Sequence, residues 1–134
     1  MKPKIYVSHS IRGKYGVKAT PEQMEENNQK AISFGQLLKA NYPKINWYVP
    51  GEHDEFVKIA YLKKYLTDTQ ILDVDCDILA KCNGLLVWMP DNYISGGMQV
   101  EVDYAIEHKI PICYLNTGNV WNNIDKFLEG FDNE

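Results

Sequence analysis

The sequence is short of the features that mark most specialised proteins. No apolar run approaches the roughly 20 residues that cross a bilayer as a helix, so no membrane partner is expected. Cysteines number only three, Cys76, Cys82 and Cys113, with no paired spacing. That argues against a disulfide framework and fits a reducing, cytoplasmic setting. Cys76 and Cys82 lie six apart on a predicted helix, on different faces, and make poor joint metal ligands. The histidines, His9, His53 and His108, have no metal-ligand spacing either, so no metal is expected. Basic residues are scattered and outnumbered, 14 Lys and Arg against 18 Asp and Glu, a net charge of −4. A nucleic-acid polymer needs a basic stripe, and none is present. Repeats, linkers and low-complexity segments are absent. Met1-Lys2-Pro3-Lys4 leads straight into the strand-like Ile5-Tyr6-Val7, so no signal peptide is expected.

What is present suits one globular domain over residues 1–134, with 45% hydrophobic residues. Lys4–Ser8 reads as a first, central strand. Thr20-Pro21 reads as the N-cap and first residue of a helix running to about Ala40. Asn46–Val49 reads as a strand stopped by Pro50-Gly51. Phe56–Leu66 and Gln70–Lys81 have helical spacing. Gly84–Met89 is a continuous apolar run, the pattern of a strand covered on both faces. Met98–His108 reads as a helix, Ile110–Leu115 as a strand, and Val120–Phe131 as a last helix. Strands alternating with helices predict an α/β fold: a doubly wound, flavodoxin- or Rossmann-like parallel sheet of four to five strands, with helices on both faces. Ligands in such folds bind beyond the carboxyl ends of the strands. Three polar loops fall at that edge: Ser8–Gly16, Pro50–Glu55 and Pro90–Gly97.

Four constellations on these loops and helices could carry chemistry. Ser95-Gly96-Gly97 reads as a Gly-rich turn of free N–H groups, with Glu101 in or near the first helical turn; this suits an anion with an acid above it. The plainer alternative is a helix-opening acid that complements the dipole. Ser10-Ile11-Arg12-Gly13 offers a hydroxyl, a guanidinium fork and a flexible glycine, which suit a phosphate, or else a solvated loop. Asp73, Asp75 and Asp77 cannot share one helical face, so at most one or two reach a pocket and the rest form a solvated helix start. Glu52-His53 lies in a polar loop, where an imidazole could contact a nucleobase or move a proton.

In order and spacing these residues resemble the nucleoside 2-deoxyribosyltransferase superfamily, and most closely its Rcl-type 2′-deoxynucleoside 5′-monophosphate N-hydrolases. The likeness covers about residues 4–115. The family's strand with Tyr followed by Gly-Ser-Ile-Arg-Gly is matched by Tyr6-Val7-Ser8-His9-Ser10-Ile11-Arg12-Gly13, with His9 for the first Gly. A Glu-His pair after the second strand is matched by Glu52-His53. Asp75 stands eight residues before Asn83, where the family usually has a second Asp. Ser95, Gly97, Glu101 and Ala105 match the Ser, Gly, catalytic Glu and following Ala. Val17–Asn28 and the charged segment around Asp54–Lys64 are not typical of the short hydrolases.

The resemblance implies an N-glycosidase that cleaves the base–sugar bond of a (deoxy)nucleoside 5′-monophosphate. Glu101 would be the nucleophile, oriented by Tyr6, with Asp75 as the acid for the leaving base and His53 on the base edge. Ser10, Ile11, Arg12, Gly13, Ser95 and Gly97 would hold the sugar phosphate. It implies no organic cofactor, and a homo-oligomer whose neighbour completes the site, with Asn116, Thr117 and Asn119 as candidates. A deoxyribosyltransferase exchanging bases, and a non-catalytic nucleotide-binding sensor, are the alternatives. A flavodoxin-like electron carrier is disfavoured, since the first loop lacks a Thr/Ser-rich cradle.

Overall fold

The structure, a computed structural model, describes residues 2–116 and 118–131, with the side chain of Val17 left aside. Four strands form one parallel sheet: β1 (Lys4–Ser8), β2 (Asn46–Tyr48), β3 (Gly84–Trp88) and β4 (Ile112–Leu115), in the order β2-β1-β3-β4. Five α-helices connect and flank them: α1 (Pro21–Asn41), α2 (Asp54–Leu62), α3 (Asp68–Leu79), α4 (Gly96–Glu107) and α5 (Val120–Glu129). Short 3-10 turns cover Gly13–Lys18 and Pro50–His53. The strand count takes the lower of the two predicted values.

Alternation along β1 decides which side chains meet which helices. Ile5 and Val7 point to the face where Phe34 and Leu38 of α1 and Ile124 and Leu128 of α5 pack. Tyr6 points to the opposite face, among Leu79 of α3 and Met98, Val102 and Ala105 of α4. The sheet is thus covered on both sides. The chain moves outward from β1 to β2, then doubles back to β3 and β4. Right-handed crossovers require the helices to change faces at that reversal, and they do. The carboxyl ends of β1 and β3 therefore flank the topological switch point, where the outgoing loops diverge.

Local signals explain the helix starts. Thr20 and Thr67 each accept a hydrogen bond from the N–H three residues on, and Gln23 and Gln70 reach back to their backbone N–H groups. These reciprocal caps set α1 and α3. The second capping box starts α3 two residues before the predicted Gln70, and the helix ends two residues before Lys81. Asp73, Asp75 and Asp77 consequently lie in mid-helix, not at a helix start. Gly96 and Gly97, expected in a turn before the helix, form the first turn of α4 itself. Among the described residues no helix is long and apolar enough to cross a membrane.

Candidate active site

Glu101 is the focus. It lies on α4 yet is buried, only 5% exposed. Counting from Gly96 it is the sixth residue of the helix, in the second turn, so the expectation of a helix-opening acid is corrected: the dipole acts mainly on the first turn. Its support comes from the strand. The Tyr6 hydroxyl donates to Oε2, and the Ser8 hydroxyl donates to Oε1 at 2.7 Å. Tyr6 and Ser8 are two residues apart on β1, so both face α4.

The surroundings raise the pKa values of the site's acids. Burial pushes Glu101 up from 4.5 to about 7, against the opposing pull of the Tyr6 and Ser8 hydrogen bonds; the neighbouring Asp75 charge raises it further. Asp75, on α3, is half-buried, and burial lifts it from 3.8 to about 6. Asp73 and Asp77 are exposed, so one of the three alternating acids reaches the site. The Tyr6 hydroxyl is held well above its ordinary value by burial and by the Glu101 charge. Two adjacent carboxyls pushed upward by desolvation are typical of reactive clefts rather than of packing.

An aromatic wall adjoins the acids. The Tyr6 and Tyr48 rings lie 5.3 Å apart, and His53 stacks on Tyr48 at 5.2 Å with planes 15° apart. Tyr48 is itself raised by burial and then by Asp75. His53 therefore joins the acids through Tyr48.

The loop after β1 forms the other half. Ser10 Oγ accepts the Gly13 N–H at 2.7 Å, and the Ile11 carbonyl accepts from Asn27 at 2.9 Å. Gly13 has φ +62, in the left-handed region that glycine tolerates. Arg12 is exposed and forms no ion pair among the described residues. His9, which replaces glycine in the family pattern, turns inward. Its Nε2 accepts the Gly51 N–H at 3.0 Å, and burial lowers its pKa to about 4, so the ring is neutral. Asn28 donates to the Gly51 carbonyl at 3.2 Å. A Cβ on Gly51 would stand 2.5 Å from Asn28 Oδ1, so the junction admits no larger residue without a shift. His9 and Asn28 thereby tie the loop after β1 to the turn after β2.

At the start of α4, Ser95 Oγ accepts the Met98 N–H at 3.3 Å and acts as the N-cap. The N–H groups of Gly96 and Gly97 precede the first intrahelical bond and stay free for a ligand.

A small cleft at the switch point is lined by His9, Ser10, Gly13, Lys30, Trp88 and Asp91, among others. It holds the loop half of the site but not Glu101, Tyr6 or Asp75. Ser8, Tyr48 and Asp91 were missed by sequence reasoning. The Tyr6–Ser8 alternation could have revealed Ser8. Tyr48 needed the strand pairing, which sets it beside Tyr6. Asp91 needed the loop path: its Oδ2 lies 3.5 Å from where a Gly13 Cβ would sit. Asn116 and Asn119 are exposed beyond β4, and Thr117 lies outside the described residues. Among the described residues no group of three His, Cys, Asp or Glu side chains could hold a metal ion. No protein-family model, no curated protein and no solved structure matches the chain.

Proposed function

We propose that the chain is an N-glycosidase acting on a (deoxy)nucleoside 5′-monophosphate. The observation that carries this is Glu101, a buried carboxylate gripped by Tyr6 and Ser8 beside the raised carboxyl of Asp75. The likeness of Tyr6, Ser10–Gly13, Glu52-His53, Asp75 and Ser95–Glu101 to the nucleoside 2-deoxyribosyltransferase superfamily supports the same reading.

The chemistry follows from the groups. Cleaving an N-glycosidic bond builds positive charge at C1′, which a carboxylate stabilises. Glu101 attacks C1′, and the C1′–N bond breaks with its electron pair leaving on the base. In the reactive form Glu101 is ionised and Asp75 carries the proton, a form that burial keeps accessible by lifting Asp75 toward neutrality, and Asp75 gives that proton to the base ring nitrogen. Water then attacks C1′ of the glycosyl ester, its proton returns to Asp75, and the sugar phosphate departs. Tyr6 and Ser8 keep Glu101 oriented throughout. Tyr48 and His53 offer a flat surface for the base, and Arg12 with the free Gly97 N–H suits the phosphate. Free thiols at Cys76, Cys82 and Cys113 agree with a reducing, cytoplasmic setting.

A second reading, a deoxyribosyltransferase on unphosphorylated nucleosides, draws on Asp91. A carboxylate over Gly13 repels a phosphate and welcomes a free 5′-hydroxyl.

The test is to incubate the protein with each deoxynucleoside and its 5′-monophosphate and to measure free base by chromatography. Release from monophosphates, with Arg12→Ala costing those substrates about tenfold more than nucleosides, supports the first reading. Base exchange with nucleosides, weakened by Asp91→Asn, supports the second. Tight nucleotide binding with no release of any base, and no change on Glu101→Gln, would leave a sensor and defeat both.

A further inference from the structure

One stripe of α1 carries three side chains with different work. Asn27 donates to the Ile11 carbonyl at 2.9 Å and so fastens the loop after β1. Phe34 stacks on Trp88, at the end of β3, with ring centroids 4.6 Å apart and planes 10° apart. Lys30 lies between them. Spacings of three and four residues put Asn27, Lys30 and Phe34 on one face of the helix. The two outer contacts hold this turn of α1 at the switch point, where Lys30 lines the small cleft together with Ser10, Gly13 and Asp91.

Size and charge restrict what this cleft accepts. Its free volume is about 20 Å³, room for one water-sized group. A nucleobase or a sugar ring does not fit, whereas one oxygen at the end of a ligand does. Among the described residues Lys30 is its only lysine or arginine, and Asp91 its only carboxylate; Arg12, though close in sequence, does not line it. The two opposite charges share the cleft without pairing. Lys30 meets Glu26 instead, at 3.4 Å, with both side chains exposed on one helix. Such a pair is worth little and yields to a better partner. The Ser10 hydroxyl accepts the Gly13 N–H and keeps its own hydrogen to donate. Asp91 Oδ2 lies 3.5 Å from where a Gly13 Cβ would sit, so the carboxylate stands over the same loop.

We propose that Lys30 and Asp91 are an opposed pair that sets the selectivity of the site for the 5′ end of its ligand. Lys30, a compact point charge, and the Ser10 hydroxyl draw in an oxygen of a 5′-phosphate. Asp91 opposes that charge and accepts from a 5′-hydroxyl. The balance between the two decides which 5′ end is preferred. The proposal rests on the nucleotide reading above and adds Lys30 to it. Lys30 follows directly on Val17–Asn28, a segment not typical of the short hydrolases, so this selectivity is the chain's own.

The ratio of kcat/KM for a deoxynucleoside 5′-monophosphate to that for its nucleoside tests the pair. Lys30→Met should lower the ratio about tenfold, and Lys30→Arg should restore most of it. Asp91→Asn should raise the ratio, and the double variant should fall between the two single ones. Calorimetric binding of the same two ligands to Glu101→Gln, with and without Lys30→Met, reads the selectivity without turnover. A ratio that Lys30→Met leaves unmoved in both assays overturns the proposal and leaves the glycosidase reading intact. Monophosphate binding weakened about tenfold more than nucleoside binding by Lys30→Met, in a chain that releases no base, defeats the reaction and upholds the pair. Lys30→Met and Asp91→Asn shifting the ratio in the same direction, or a chain that binds neither ligand, overturns the proposal as well.

Discussion

The two faces of the sheet do different work, and β1 separates them residue by residue. Toward α1 and α5 it presents Ile5 and Val7, and the cluster there is built of apolar and aromatic side chains with a single thiol. Toward α3 and α4 it presents Tyr6 and Ser8, whose hydroxyls hold a buried acid. Both faces bury their residues almost completely, so burial alone does not distinguish packing from chemistry. The distinction lies in what the buried polar atoms face. On the α4 side one carboxyl is buried and a second is half-buried, and both are raised toward neutral pH. Such an arrangement lowers stability unless something else gains from it.

Breaking the packing face should have the largest effect on stability. Leu38 is fully buried against β1, and Leu38→Ala should lower the unfolding free energy by about 3 kcal/mol in urea melts. Activity per folded molecule should be unchanged. A loss of turnover at full folding would mean that the two faces are not separable.

On the other face, stability should depend on pH in an unusual direction. The folded Glu101 carboxyl keeps its proton up to about 7, whereas the unfolded one loses it near 4.5. Between those values the folded state binds more protons, so stability falls as pH rises through the window. Asp75 adds the same trend between 3.8 and about 6. Glu101→Gln should therefore gain on the order of 2 kcal/mol near pH 8 and little near pH 4, flattening the profile. A variant less stable than wild type near pH 8 would show that the carboxylate is a net structural asset.

The smallest of these effects concerns the grip on the acid. Tyr6→Phe removes one of two hydroxyls and should lower kcat about tenfold, leave KM nearly unchanged, and move the acidic limb of the pH profile upward. Ser8→Ala should act in the same direction. An unaltered pH profile in both variants would mean that neither hydroxyl tunes Glu101.

Much of this comparison could be read from the chain before any coordinates. The strands follow from apolar runs such as Gly84–Trp88, and alternating elements imply the parallel sheet. Tyr6, Asp75 and Glu101 are the residues that the family resemblance picks out, and the structure brings these three into one neighbourhood. Other parts depend on tertiary geometry. Glu101 lies two residues deeper in α4 than expected, because Ser95 caps the helix and draws both glycines into it. The inward turn of His9 depends on the absence of a side chain at Gly51, forty-two residues on. Asp91 meets Gly13 only because two loops converge at the switch point. Tyr48 matters through its pairing with Tyr6, and a three-residue strand carries little pattern of its own.

The central claim concerns one carboxylate, and base release by Glu101→Gln tests it most directly. With a substrate that the wild type cleaves, the variant should bind within about threefold of wild type and release free base at least about a thousandfold more slowly. Release at near wild-type rate from a folded variant would contradict the account.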